Sequence, residues 1–295
     1  MTNKKIIIPL PNEDFDPSEV AIPWQLLRQH GFTILFATPD GKAARADPMM
    51  LSGEGLDVWG WIPVIKKIRL IGLVLRANKA ARVAHQALLN DSNFQCPYSY
   101  AQLSVEKFDG LVLPGGHAQG VKPYLEDKTL QAFVADFFEN KDSCDQHKPI
   151  AAVCHGVLVA ARAISPSTNK SVLYGKKTTA LTWALESSAW SLTKYFARFW
   201  DKNYYRTYME SAGEPKGFWG VEQEIKRLLQ SDEDFLDVPK GVDDYAIKTS
   251  GVLRDSINNS KPAWVVQDGN YFSARWPGDI HTMTLKFIQQ FEKNL

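Results

Sequence analysis

A thiol and an imidazole stand side by side at Cys154-His155, directly after the apolar run Ile150-Ala-Ala-Val153 and before Gly156 and a series of small apolar residues. The run reads as a buried strand and the small residues as a helix packed tightly on a sheet, so Cys154 falls on the corner between them. Such a turn holds its central side chain clear of the sheet on a strained backbone, with N–H groups of the next helix beside it. The positive end of that helix is expected to lower the thiol pKa and enrich the nucleophilic thiolate. The competing reading is an inert core cysteine, since free cysteine is among the most buried residue types. His155, a polar ring where a core would take an aliphatic, and Gly156, which admits a close approach, favour the reactive reading.

Three further places could serve such a nucleophile. Pro114-Gly-Gly-His117 ends an apolar run, and a Gly-Gly pair there can turn N–H groups toward a developing oxyanion, or simply make a strand-to-helix turn. Glu19 stands at the start of a helical pattern, where an acid is commonly just a favourable charge at the helix N-terminus. If His155 is a base, its second nitrogen needs an orienting partner, and Glu186 is the best-placed acid, although a helix-initiating glutamate reads the same way. Gly115, His117 and Trp183 are candidates for lining the substrate pocket.

The elements that must position these groups follow from periodicity and turn residues. Strands are predicted at Lys5 to Leu10, Thr33 to Thr38, Gly110 to Leu113, Ile150 to Val153, Lys177 to Ala180, Val252 to Asp255, Ala263 to Gln267 and Tyr271 to Ala274. Asp268-Gly-Asn270 predicts a hairpin joining the last two. Helices are predicted from Glu19 to His30, Asn78 to Leu89, Lys128 to Asn140, after Gly156, and from Pro277 to Lys293. The β-α-β order with short links predicts one doubly wound, mostly parallel α/β sheet sandwiched by helices over residues 1–295. Ligands of such sheets bind beyond the carboxyl ends of the strands, where all the candidate residues fall. Two long blocks, 43–107 and the aromatic-rich 187–246, interrupt the plan and are expected to be helical inserts covering the site. Tyr204 and Tyr205 in the second block are expected at the substrate mouth.

Composition narrows the function classes. The chain has 295 residues, 44% hydrophobic and 23% charged, with 34 basic and 33 acidic residues, so no nucleic-acid footprint is expected. Three cysteines (Cys96, Cys144 and Cys154) at wide spacing argue against a disulfide framework or zinc site, and with a short N-terminal apolar run they favour a reducing cytoplasm. Trp59 to Leu75 is too short and, with Lys66, Lys67 and Arg69 in its middle, too charged to span a bilayer. It reads as an amphipathic helix lying over the fold or against a partner rather than on a membrane.

Glu19 within Pro17-Ser-Glu-Val-Ala-Ile-Pro-Trp24, together with Phe36-Ala-Thr-Pro-Asp-Gly41, Leu113-Pro-Gly-Gly-His117 and Ala152-Val-Cys-His-Gly156, resembles the ThiJ/PfpI superfamily, most closely its glyoxalase III and heat-shock-type chaperone branch. The resemblance implies an amidotransferase-like fold with Cys154 as nucleophile, His155 as acid/base and Glu186 as third triad member. It also implies a protonated Glu19 bonded to the sulfur and an oxyanion hole from the N–H groups of Gly116 and His155. It implies, without cofactor or metal, conversion of methylglyoxal to lactate, or a related deglycase, peptidase or amidase reaction on a small aldehyde or amide. A holding chaperone or redox sensor is the non-enzymatic alternative. A homodimer is among the states it allows. Glutamine amidotransferase chemistry fits less well, because His281 is followed two residues later by Met283 rather than a glutamate, and His281 is expected to help cap the last helix.

Overall fold

A computed structural model describes residues 4–142 and 145–293, so Cys144 and the first residues of the chain lie outside the described residues. Its main sheet has seven strands: β1 (Lys5–Pro9), β2 (Thr33–Thr38), β3 (Tyr98–Ser99), β4 (Gly110–Leu113), β5 (Ile150–Val153), β6 (Val265–Asp268) and β7 (Tyr271–Ala274). Their spatial order is β3-β2-β1-β4-β5-β7-β6, parallel throughout except for the β6–β7 hairpin. The chain winds from β1 toward one edge and from β4 toward the other, so the direction of winding reverses between β1 and β4. That reversal opens a crevice at the carboxyl ends of the strands.

Both faces of the sheet are buried, and side chains alternate between two cores. Ile7, Leu111, Leu113, Ile150 and Ala152 face one; Ile6, Ile8, Val112, Ala151 and Val153 face the other. Helices α1 (Pro17–Gln29), α2 (Lys79–Leu88) and α7 (Ile280–Lys293) cover the second face. Helices α3 (Lys128–Glu139), α4 (Gly156–Arg162) and α6 (Val221–Lys226) cover the first. Helix α5 (Trp183–Phe196) carries the chain into the second insert.

Three expectations fail. Lys177 to Ala180 is not a ladder strand: it lies along β7 through side-chain bonds, Thr179 N–H donating to Ser273 Oγ at 2.9 Å, and its one backbone bridge is to Phe235. Val252 to Asp255 is also irregular. Val252 and Leu253 are exposed, and Asp255 accepts the N–H groups of His281 and Thr282 to cap α7, with the His281 ring 3.1 Å from the same carboxylate. Trp59 to Leu75 forms turns and then one short helix, Ile71–Leu75, because Gly60 and Pro63 interrupt it. The first insert also supplies the edge strand β3, too short to leave a pattern in the sequence.

Candidate active site

Asp16 begins the site. It caps α1 by accepting the N–H groups of Ser18 and Glu19 at 2.7 and 3.1 Å, and its own N–H donates to the Gly115 carbonyl at 3.0 Å. The start of α1 is thereby tied to the loop after β4, and Glu19, on its first turn, is fully buried behind that loop. Glu19 Oε2 accepts the Gly115 N–H at 2.7 Å, while its Oε1 is buried without a hydrogen-bond partner among the described residues and the Cys154 side chain acts on the same carboxyl. Burial, reinforced by Asp16, pushes the Glu19 pKa well above the ordinary carboxyl range, which favours its protonated form.

Cys154 has φ 55°, in the left-handed region that a non-glycine residue occupies at a cost, as the corner reading requires. Its N–H donates to the Ala274 carbonyl at 3.1 Å, which locks the turn to β7. Gly156 permits the close approach of α4 to β4: a Cβ there would stand 2.1 Å from the Leu113 carbonyl oxygen. The thiol pKa, however, moves opposite to expectation. Burial, followed by the carboxyls of Glu19 and Asp16, pushes it well above the usual thiol value, and the backbone N–H of His155 directed at the sulfur only partly opposes this. Desolvation disfavours the charged form more than the start of a short helix favours it. The resting group is a thiol.

His155 explains how that thiol can still react. Its Nδ1 lies 3.4 Å from Cys154 Sγ and its Nε2 3.1 Å from Thr207 Oγ1. The Thr207 hydroxyl donates its single proton to the His117 carbonyl at 2.8 Å, and a carbonyl only accepts. Thr207 Oγ1 must therefore accept from His155 Nε2–H, which leaves the unprotonated Nδ1 facing the sulfur. Burial and nearby cations bring the imidazole pKa down to about 3, so the ring is neutral at rest. The pair is S–H against a free imidazole nitrogen, arranged for proton transfer during attack rather than before it.

Glu186 does not orient His155 through its second nitrogen; Thr207 occupies that place. Glu186 Oε1 lies 3.0 Å from Arg206 Nε and Oε2 accepts the Val221 N–H at 3.0 Å. Arg206 is completely buried, with the rings of Trp183 and Trp190 at 5.0 and 4.9 Å from its guanidinium. Glu186 is thus paired with Arg206, the chain neighbour of the Thr207 that stands at His155 Nε2. Burial outweighs the Arg206 charge and raises the Glu186 carboxyl to about 7.

Cys154 opens into a cavity of about 340 Å³ whose polar lining includes Asp16, Glu19, Gly116, His117 and Glu186. Its walls are mainly apolar: Leu75, Leu192 and Tyr205 come from the two inserts and Leu185 from just before the second, with Arg254 the cation of the wall. His117 stacks on Tyr205 with ring centroids 4.1 Å apart, and burial lowers its pKa to about 4. Tyr205 reaches the cavity as expected, whereas the Tyr204 hydroxyl turns aside to donate to Asp47 at 2.5 Å. Two pocket expectations are corrected. Gly115 sits behind the wall, where a Cβ would come within 2.7 Å of the His155 nitrogen, and Trp183 is occupied by Arg206 and the turn at Gly217 and Gly220. Sequence reasoning missed Thr207, Arg206, Asp16 and Arg254. Asp16 carried a readable signal in the cap pattern Asp16-Pro-Ser-Glu19, but Thr207, 52 residues from His155, carried none.

A strand–turn–helix cysteine beside a histidine and a buried glutamate, on a doubly wound parallel sheet, defines the class of protein. The family model described as ThiJ/PfpI family-like matches residues 10–217, and the chain belongs to that family. An uncharacterised protein of Schizosaccharomyces pombe is 26% identical over 194 residues, covering 64% of this chain and 67% of the yeast protein. The Arabidopsis thaliana protein DJ-1 homolog D is 27% identical over 176 residues, 59% of this chain but 36% of the plant protein, so the match spans little more than a third of that relative. Among solved structures, glyoxalase III of Candida albicans superposes with a TM-score of 0.57 at 15% identity, covering 97% of this chain and 96% of the fungal one. The Rapid Encystment Protein of Francisella tularensis gives 0.58 at 12% identity over 97% and 98%. At these identities the solved structures share the fold. Among the described residues no helix is long and apolar enough to cross a membrane.

Proposed function

We propose that the chain is a cysteine-dependent, cofactor-independent enzyme acting on small 2-oxoaldehydes, converting methylglyoxal to lactate. The observation that carries this reading is the Cys154–His155–Thr207 chain, which aims a free imidazole nitrogen at a thiol that lines the cavity. The fold shared with a fungal glyoxalase III supports it.

As Cys154 Sγ attacks the aldehyde carbon, its proton passes to His155 Nδ1 and the carbonyl oxygen becomes an alkoxide. In this reading the backbone N–H groups of Gly116 and His155 stabilise that oxygen, and His155 or Glu19 supplies the proton that completes the hemithioacetal. Removal of the hydrogen on that carbon gives an enediol. Reprotonation at the neighbouring carbon gives the lactoyl thioester, with no net oxidation. Water then cleaves the thioester, releasing lactate and the thiol. A base that is free at rest and a carboxyl whose protonated form is favoured by burial suit these transfers.

Purified protein is expected to form lactate from methylglyoxal without glutathione, and Cys154→Ser is expected to abolish it. Lactate formation that survives Cys154→Ser, or its absence from folded wild type, refutes the reading. Equal suppression of client aggregation by wild type and Cys154→Ser, without turnover, would establish the holding-chaperone alternative.

A further inference from the structure

The segment between Asp57 and Gly72 is a closed loop on the body of the protein. One carboxylate ties its ends: Asp57 accepts the N–H groups of Leu70, Ile71 and Gly72 at 2.9, 2.7 and 3.2 Å. The Trp59 indole N–H donates to the Ile68 carbonyl at 2.7 Å and braces it across the middle, while Arg69 donates to the Ser52 carbonyl at 2.8 Å and fastens it to the body. Such a loop is held in shape by its own bonds. Its apolar side chains nevertheless point outward: Val64 is 86% exposed, Leu70 63% and Trp61 59%, and Ile68 is also exposed. The exposed Leu73 and Val74 follow, and Val74 and Val252 both line the cavity, so the loop continues onto the mouth of the site.

Charge identifies the occupant. From Val58 to Asn90 the chain contains no acidic residue, yet it carries Lys66, Lys67, Arg69, Arg76, Lys79 and Arg82, in a protein whose net charge is only +1. Lys66 and Lys67 are exposed among the apolar side chains. The cations are close enough to act on one another: Arg76 is lowered by burial and then by Arg82 and Arg69. Exposed tryptophan and aliphatics interleaved with lysine match the interface of an anionic bilayer, where rings and aliphatics enter the headgroup boundary and lysines meet lipid phosphates. A second copy packed twofold on this face would set like charges against each other.

We propose that this loop, with the adjoining rim of the cavity, docks the protein peripherally on an anionic membrane surface. This replaces the expectation that the segment lies over the fold as an amphipathic helix. It does not rest on the chemistry of Cys154.

The test is flotation of the full chain with phosphatidylcholine vesicles that contain or lack phosphatidylserine. Wild type is expected to float only with phosphatidylserine and to be released by salt. Lys66→Ala with Lys67→Ala is expected to lower partitioning roughly 30-fold, since each basic residue near an anionic leaflet contributes about 1 kcal/mol. Trp61→Ser with Val64→Ser is expected to abolish flotation. Cys154→Ser is expected to float like wild type, which separates this proposal from the enzymatic one. Because the substituted side chains are exposed, the variants are expected to keep the wild-type thermal transition. Folded wild type that fails to float, or floats equally without phosphatidylserine, overturns the proposal. So does a dimer that Trp61→Ser dissociates while no vesicle binds.

Discussion

Thr207→Val tests the assignment of the His155 tautomer most directly, because it keeps the shape of the side chain and removes only the hydroxyl. The substitution deletes two buried contacts, of 2.8 Å to the His117 carbonyl and 3.1 Å to His155 Nε2, and leaves both groups without these partners. A buried group so stranded costs about 1–3 kcal/mol, so the free energy of unfolding in urea is expected to fall by roughly 2–6 kcal/mol for the two. The effect on reaction is separate. When Nδ1 takes the Cys154 proton the ring becomes a cation donating to Thr207, and a hydrogen bond to a charged group contributes about 1.5–3 kcal/mol. At about 1.36 kcal/mol per tenfold, methylglyoxal turnover is expected to drop roughly 10- to 150-fold. The alkylation rate of Cys154 by iodoacetamide, followed by intact mass, is expected to drop in parallel without reference to any substrate. Thr207→Ser restores the hydroxyl and is expected to recover most of both rates. Wild-type alkylation and turnover in Thr207→Val would refute the tautomer argument. A Thr207→Ser variant as slow as Thr207→Val would show that shape, not the hydroxyl, matters.

Cys154 alkylation measured against pH is expected to rise with an inflection above the ordinary thiol value of about 8.5, because burial and the neighbouring carboxyls raise it; an inflection below that value would show a thiolate at rest. Gly156→Ala would place a Cβ 2.1 Å from the Leu113 carbonyl oxygen and 2.6 Å from that of Pro114, both rigid backbone, and is expected to destabilise the fold by about 3 kcal/mol or more in a thermal or urea melt. A soluble Gly156→Ala protein with the wild-type melting temperature would contradict the close packing of α4 on β4. His117 titrates near 4 when folded and near 6.5 when unfolded, so the unfolded chain takes up its proton first as pH falls. That linkage removes up to about 3 kcal/mol of stability between pH 6.5 and 4, and His117→Phe is expected to abolish that part of the loss. Urea titrations of the two proteins at both ends of the range measure it, and an unchanged pH dependence would refute the burial argument.

Much of the frame was legible because its signals are local. Thr33 to Thr38, Gly110 to Leu113, Ile150 to Val153 and Tyr271 to Ala274 are strands with the expected bounds, since each is a short apolar or β-branched run ended by turn residues. The Cys154 corner was legible for the same reason, and φ 55° there follows from a strand that must turn at once into a helix. Lys177 to Ala180 and Val252 to Asp255 misled because apolar and threonine content does not say whether a neighbouring strand has a free edge. One pairs through side chains and the other ends in a helix cap.

The sequence by itself determined the chemistry-bearing corner, the parallel sheet and the end of the sheet at which Glu19, Gly116 and Cys154 would meet. Those follow from residue type, period and strand order, which are properties of short stretches of chain. Only the tertiary structure decided what holds His155 and in which ionic state the pair rests. Thr207 reaches the ring next to an Arg206 buried with Glu186 and two tryptophans, a contact across 52 residues with no pattern to announce it. The thiol stays protonated because desolvation is set by everything packed around a group, and no local spacing encodes that.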